Sequence, residues 1–286
     1  MIMKKEDLPF VTDLNGKVCV ITGAGGVLCS LMAKALSCCG AKVAILDLHL
    51  TQAQKVAEEI TKAGYTAKAY EVNCLDKASI IKAHDAIIKD LGKCDILING
   101  AGGNSPKAST TQEFYAPKDC EDTITFFDLK EEGFQFVFNL NILATLITTQ
   151  VFAGDMIGRE GCSILNISSM NAFTPLTKIP AYSAAKAGVS NFTKWLATYF
   201  AKENIRVNAI APGFFSTAQN AALLFNPDGT PTARTGKILN NTPMGRFGKP
   251  EELLGSVLLL TDSKAAGFIT GVVLPIDGGF SAYSGV

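Results

Sequence analysis

The sequence predicts an α/β fold, a single doubly wound parallel sheet with helices on both faces. Three observations lead there. Short apolar runs rich in Val and Ile alternate with longer helix-like stretches along most of the chain. Those runs carry few polar residues, as in parallel strands covered on both faces. A glycine-rich turn, "TGAGGVLCS", closes the first run, and a carboxylate, Asp47, ends the second.

The elements follow in order. "KVCVITG" reads as the first strand and "LMAKALSCCG" as its helix. "AKVAILDL" leads into "TQAQKVAEEITKAG", and "TAKAYEVN" leads into "DKASIIKAHDAIIKDLG", with "CDILINGAGG" as the next strand. Repeated strand–helix units with right-handed crossovers wind such a sheet. A long apolar helix is expected around 134–157, then a strand "CSILNISS", a helix "AYSAAKAGVSNFTKWLATYFAKE" and a strand "IRVNAIAP". Two segments break the rhythm: a polar insertion over 103–125 and an excursion over 213–245 that follows a Pro-Gly. Both lie beyond the carboxyl ends of strands, where ligands bind in such sheets, and loops of this length are usually lids or binding loops. The second is read as a substrate lid. No repeat or linker divides the 286 residues, which are read as one domain over 1–286.

Composition narrows the function classes. Lys plus Arg equals Asp plus Glu at 26 each, so no net field draws in nucleic acid or anionic lipid. Neither partner is expected. The N-terminus lacks the apolar stretch of a secretory signal, and nowhere do enough apolar residues run together to suggest a membrane span. The eight cysteines form no C-x-x-C pair and no zinc-like spacing, so no metal is expected. A reduced, cytoplasmic protein is the simplest reading.

Gly23, Gly25 and Gly26 fall in the first strand-to-helix turn. Glycine there lets backbone approach phosphate oxygens while the helix N-terminus presents N–H donors. The bland alternative is a turn that simply packs closely on its strand. Asp47 adds weight, because a carboxylate at that strand end can accept both hydroxyls of an adenosine ribose. The same charge repels a 2′-phosphate and favours NAD(H) over NADP(H). Asp47 also suits N-capping of "DLHLTQ", and the two roles are compatible. Val27 and Cys29 stand where a nucleotide-binding turn usually carries glycine. Val27 would be strained at positive φ and would crowd a pyrophosphate, while Cys29 would enlarge the helix–strand contact. Gly25 and Gly26 can absorb a shifted turn, so dinucleotide binding is still expected.

A second cluster is "YSAAK". Tyr182 and Lys186 are four apart and share one helix face. A free phenol has a pKa of about 10. A neighbouring ammonium, joined by a positively charged cofactor ring, would lower it toward a useful acid–base range. Alone, Y-x-x-x-K is common on amphipathic helices and more often than not carries no chemistry. Ser169 precedes Tyr182 by thirteen residues at a strand end, where its hydroxyl can hold a substrate oxygen. Asn141 lies inside the long helix, where it can bend the helix or anchor a water leading to Lys186.

This ordered set resembles the short-chain dehydrogenase/reductase family, whose sheet is of Rossmann type. The resemblance runs from Lys17 to about Phe280 and rests on "TGAGGVLC", "NGAGG", the Asn of "NLNIL", the "SS" with Ser169, "YSAAK", "RVNAIAPGFFST" and "PIDGG". It implies that Asn141, Ser169, Tyr182 and Lys186 form the catalytic tetrad. It implies that Gly23, Gly25, Gly26, Val27, Leu28, Asp47, Asn73, Asn99, Ala101 and Gly102 border the cofactor, together with Tyr182, Lys186, Pro212, Gly213, Phe215 and Thr217. Gly100 stands where the family has a second Asn, and Asn73 where it usually has Asp. The family also implies a homotetramer built through the helices around 134–157 and 180–202 and the C-terminal region.

The stretches "NISSMNAFTPLTKIPAYSAAKAGVSNFTKWLA", "APGFFSTAQNAALLFNPDGT", "TPMGRFG" and "GGFSAYSGV" resemble a narrower branch, the D-mannonate oxidoreductases or fructuronate reductases, and "GGVLCS" looks like its spelling of the turn. That resemblance implies NAD(H)-dependent interconversion of D-mannonate and D-fructuronate, part of carbohydrate metabolism. A sugar acid needs a cation for its carboxylate and polar groups for its hydroxyls. Lys178, Asn171 and Asn220 are the candidates beside Ser169 and Tyr182. Arg234 and Lys237 read more simply as solvated charges, and Arg246 as structural. Three other readings compete: a gluconate 5-dehydrogenase-like or other polyol or sugar-acid enzyme, a 3-oxoacyl reductase, which Asp47 argues against, and a non-catalytic NAD-binding sensor, which the intact tetrad disfavours.

Overall fold

In the computed structural model, residues 12–216, 224, 226–228 and 230–285 are described. Seven strands form one parallel sheet in the order β3-β2-β1-β4-β5-β6-β7. They are β1 (Val18–Thr22), β2 (Lys42–Asp47), β3 (Ala67–Glu71), β4 (Ile96–Asn99), β5 (Ser163–Ile167), β6 (Arg206–Pro212) and β7 (Val273–Ile276). The chain starts in the middle, winds out through β2 and β3, returns to β4 and winds out the other way. That reversal beside β1 leaves a crevice at the carboxyl ends of β1 and β4.

Burial follows from this order. Every residue of β1, β4 and β6 is buried, or as in β5 nearly so, whereas β3 and β7, at the two edges, keep most of theirs partly or fully exposed. Because side chains alternate across a strand, each central strand feeds two cores. Cys19, Ile21, Val43, Ile45, Ile96 and Ile98 pack under helices α1 (Val27–Cys38), α2 (Leu50–Lys62) and α8 (Leu254–Thr261). Val18, Val20, Ala44, Leu46 and Leu97 pack on the other face with α3 (Lys77–Asp90), α5 (Ala144–Phe152) and α6 (Pro180–Tyr199). The period of the helices matches: α2 buries Ala53, Val56, Ala57 and Ile60 along one stripe. Asp76 stops the chain before α3 by accepting the Ala78 N–H at 2.9 Å.

The long apolar helix is interrupted. α4 (Glu131–Phe138) passes into a π-helical turn at Asn139–Leu143 and then into α5. By length and composition alone the run Glu131–Asp155 would suffice to cross a membrane. It is instead a partly buried element packed on α3 and α6. β7, which the apolar runs did not announce, pairs with β6 from Ala209↔Val273 to Pro212↔Ile276. The insertion over 103–125 is less polar at its surface than its composition suggests, for Phe114 and Tyr115 are exposed, as are Phe126 and Phe127 just beyond it. Over the second excursion the described part includes α7 (Ala233–Asn240), capped by Thr232, whose hydroxyl accepts the Thr235 N–H.

Candidate active site

The first turn is built around backbone. Gly23 has φ +65°, a left-handed conformation open to glycine at little cost. A Cβ there would press on Ala101 Cα at 3.0 Å, so the turn lies directly against the chain leaving β4. Thr22 binds the two together, its hydroxyl accepting the N–H groups of Gly100 and Ala101, each at 3.1 Å. Gly25 donates its N–H to Asp47 Oδ2 at 2.9 Å, and a Cβ on Gly25 would meet that oxygen at 2.9 Å and Gln52 Cβ at 2.8 Å. Asp47 Oδ1 accepts the His49 N–H at 2.9 Å. Its carboxylate therefore fixes both the glycine turn and the entry to α2.

Gly26 is the N-cap of α1, and no side chain caps the helix there. The first N–H groups of an uncapped helix carry partial positive charge and lack internal acceptors. Val27 is the first residue of α1 and is absent from the residues with positive φ, so the strain considered for it does not arise. Cys29 is buried, and its sulfur occupies the space that a side chain on Gly100 would enter. The two departures from the usual pattern thus fit each other. Burial raises the Cys29 thiol to about 12, so it sits there as a small neutral hydrophobe.

The second cluster meets the first at Gly102. A Cβ on Gly102 would come within 2.6 Å of Asn141 Oδ1 and 3.1 Å of Lys186 Nζ. The π-helical turn presents Asn141 to this loop: its Nδ2 donates to Val137 O at 2.7 Å and Gly103 O at 2.8 Å, and its Oδ1 accepts the Gly103 N–H at 3.3 Å. The bend expected at Asn141 is therefore a widened turn that aims an amide at the end of β4. Lys186 is buried and donates to Ile167 O at 2.7 Å, with Nζ 5.6 Å from the centre of the Tyr182 ring. Burial lowers its pKa to about 8, against a smaller opposing pull from Cys29.

Tyr182 departs from expectation. Its pKa is raised, because desolvation of the phenol outweighs the lowering by its hydrogen bond with Ser169. The nearby ammonium does not reverse this in the free protein. Ser169 caps the short 3₁₀ turn Met170–Ala172, accepting the Asn171 N–H at 3.3 Å.

The remaining predicted residues divide clearly. Asn99 is buried and spent within the fold: Nδ2 donates to Thr149 Oγ1 at 3.0 Å and Asn166 Oδ1 at 2.8 Å, while Oδ1 accepts from Thr148 at 2.6 Å. Asn73 is exposed and accepts the Leu75 N–H at 3.0 Å. Pro212 ends β6, and Gly213 passes so close to Asp277 that a Cβ would approach its Cα to 2.6 Å. Phe215 packs into the core under α1 and α8, and a hollow of about 110 Å³ opens beside it, lined also by Phe214, Met244 and Asp277. Thr217 and Asn220 lie outside the described residues. Lys178 is exposed and holds φ +70°, its carbonyl accepting the Thr110 N–H from the insertion at 2.9 Å. Lys237 is committed to Glu113, reaching both carboxylate oxygens at 2.8 Å and tying the insertion to α7. Arg246 forms a two-pronged pair with Glu252 at 2.7 and 2.8 Å, the structural role expected of it. Among the described residues no group of three or more His, Cys, Asp or Glu is placed to hold a metal. Thr22, Asn166 and the complementarity of Cys29 with Gly100 were not foreseen; each needs strands distant in sequence to be placed side by side.

Residues 17–226 match the family described as short chain dehydrogenase. An uncharacterized oxidoreductase of Haemophilus influenzae is 60% identical over 274 residues, covering 96% of each chain. The 5-keto-D-gluconate 5-reductase of Escherichia coli K12 is 31% identical over 266 residues, covering 93% of this chain and 96% of its own. Among solved structures, a candidate D-mannonate oxidoreductase from Haemophilus, crystallised with bound NAD, superposes with a TM-score of 0.94 at 60% identity over 96% of this chain and 98% of its own. With the sheet, the glycine turn and the Ser169–Tyr182–Lys186 grouping, these likenesses make the chain a member of the short-chain dehydrogenase family, an oxidoreductase acting on alcohol and ketone groups.

Proposed function

We propose that the protein is an NAD(H)-dependent oxidoreductase interconverting D-mannonate and D-fructuronate, with Asn141, Ser169, Tyr182 and Lys186 as its catalytic residues. The observation that carries this reading is the meeting of the two clusters at Gly102, where only a residue without a side chain fits between the glycine turn's neighbour and the Asn141–Lys186 pair. A nicotinamide dinucleotide fits the first cluster: the uncapped N-terminus of α1 suits a pyrophosphate, and Asp47 keeps acceptor capacity for a ribose. Gly23, Gly25, Gly26, Val27, Leu28, Ala101, Gly102, Pro212 and Gly213 would hold it, and when bound it supplies or takes up the hydride.

The chain's own residues handle the proton. The Ser169 hydroxyl is near enough to the Tyr182 phenol to favour its ionised form, and both hydroxyls would meet the oxygen of the reacting carbon. In reduction Tyr182 gives its proton to the developing alkoxide; in oxidation the phenolate receives the alcohol proton. Lys186, fixed on Ile167 O, lies near enough to stabilise the phenolate in that moment. Asn141 holds the loop at Gly103 in register with Lys186.

Support for the sugar acid comes from the 60% identical Haemophilus structure with its NAD, and for the preference for NAD(H) from the charge of Asp47. Lys178 is the cation assigned to the substrate carboxylate, because Lys237 is already paired with Glu113. The 31% identical gluconate enzyme favours one alternative, a 5-ketogluconate reductase. A cytoplasmic homotetramer belongs to the same reading, supported by the exposed Trp195 and Tyr199 of α6 and Phe136 of α4.

The test follows NADH absorbance with D-fructuronate, 5-keto-D-gluconate and NADPH in parallel, and Tyr182→Phe as the control. Tyr182-dependent oxidation of NADH by fructuronate is the expected result, with a KM raised about tenfold in Lys178→Ala, the size of a lost charge-assisted bond. Faster turnover of 5-ketogluconate would reassign the substrate. Failure to bind NADH would remove the cofactor reading, and binding without turnover on any ketone would leave a sensor.

A further inference from the structure

The sheet order sets β4, β5 and β6 side by side, so the segments leaving their carboxyl ends border one mouth. From β4 comes the insertion over 103–125, and from β5 the loop between Ser169 and Tyr182. From β6 comes the excursion that carries α7. These three segments are fastened to one another in different ways. The insertion closes on itself, Thr111 donating its N–H to Ile124 O at 3.0 Å. It is held to Lys130, the N-cap of α4, whose N–H reaches Lys107 O at 3.1 Å. It is held to the β5 loop by the Thr110 N–H on Lys178 O at 2.9 Å. Those are backbone bonds, fixed in direction by the chain itself. The insertion meets α7 through side chains instead: Lys237 Nζ reaches both oxygens of Glu113 at 2.8 Å. The Lys237 side chain is 65% exposed and that of Glu113 31%, so water and salt compete for both.

The β4 and β5 sides of the mouth therefore move as one piece, while the β6 side is tied to them by an ion pair of two long side chains. Such a seam can part without disturbing either backbone network. Glu113 stays ionised for this role, its carboxyl held below the usual range first by the Lys237 hydrogen bond, with the charges of Lys237 and Lys178 adding to it. We propose that Glu113 and Lys237 form an electrostatic latch across the mouth, whose opening governs how substrate enters and product leaves. Both are positioning residues and touch no reacting atom. The role depends on Ser169 and Tyr182 being the reacting centre, and not on which sugar acid is reduced. An exposed pair is weak, so the latch shifts a closing equilibrium by a few fold and does not lock it.

The two single variants separate a latch from a simple field at the mouth. Glu113→Gln makes the mouth more positive and Lys237→Met makes it more negative, so attraction of an anionic ketone would move KM in opposite directions. A latch moves it the same way in both. With NADH and D-fructuronate or 5-keto-D-gluconate at low salt, each variant should raise KM about threefold, with kcat unchanged or higher. The double variant should be no worse than either single one, because the second change removes nothing further. Wild type in about 1 M NaCl should approach the variants, since salt screens exposed pairs. Hydrogen exchange needs no substrate, and amides of 103–125 and Ala233–Asn240 should exchange faster in both variants than in wild type. NADH titration shows that each protein is folded. Opposite shifts in KM, additive effects in the double variant, a fall in kcat at unchanged KM, or unchanged exchange overturns the latch. Should neither ketone be reduced, the sugar-acid assignment falls and exchange alone decides: faster exchange in both segments supports the latch, and unchanged exchange removes it.

Discussion

Lys186→Met should remove a specific piece of the protein's pH-dependent stability. Lys186 is 4% exposed, and burial brings its pKa from 10.5 down to about 8. In the unfolded chain the same group titrates near its ordinary value. Below pH 8 both states are protonated, and the folded state carries a desolvated ammonium; the depressed pKa corresponds to about 3 kcal/mol of destabilisation. Between pH 8 and 10.5 the unfolded state holds more protons than the folded one, so this contribution to stability rises with pH by about 1.4 kcal/mol per unit. The buried cysteines act in the opposite sense, because their thiols are raised in the fold. Cys19 and Cys74 do so equally in both proteins, and Cys29, which faces Lys186, adds only the smaller coupling between the two groups, so the difference between wild type and variant reports the lysine with that coupling. Urea unfolding without cofactor at fixed protein concentration, at about pH 7.5 and about pH 9.5, should show wild type gaining about 2 kcal/mol relative to Lys186→Met. Parallel pH profiles would refute the claim that Lys186 is held as an easily deprotonated amine. Loss of wild-type stability relative to Lys186→Met as pH rises would refute its sign.

Two further substitutions test the scaffold around the crevice. Gly25→Ala puts a Cβ 2.9 Å from Asp47 Oδ2 and 2.8 Å from Gln52 Cβ, so the carboxylate must move, and NADH affinity measured by fluorescence titration should fall about tenfold or more. Asn141→Ala strips partners from Val137 O and from both backbone groups of Gly103. Thermal or urea unfolding should show a loss of about 2 to 3 kcal/mol, with turnover lost beyond what the stability change explains.

The alternation of apolar runs with helices was enough to read six of the seven strands, because central parallel strands are apolar on both faces and announce themselves without a period. β7 escaped because it is an edge strand of four residues broken by Pro275, and only its following "DGG" was conspicuous. The residues proposed as the tetrad stood out by their spacing, and the interruption at Asn141 was legible as a polar residue inside an apolar helix. The direction of the Tyr182 pKa was not. Sequence says that an ammonium is four residues away, but the outcome depends on how completely the phenol is desolvated and on Lys186 pointing its charge at Ile167 O. The same holds for Val27, which looked obstructive only while its φ was unknown.

The fit between Cys29 and Gly100 imposes an order on how such a turn can change. A side chain at 100 would overlap the Cys29 sulfur and would also approach the backbone oxygen of Thr22 at 2.7 Å, so cysteine at 29 is accommodated most easily on a background that already has glycine at 100. Starting from the family's usual pair, glycine at 29 and asparagine at 100, the path runs through the double-glycine intermediate, since the reverse order passes through a clash. Reversion is constrained in the same way: asparagine at 100 needs the sulfur displaced and the strand end at Thr22 shifted as well. The pair is a small epistatic ratchet, and grafting either residue alone into another member of the family should transfer the defect without the remedy.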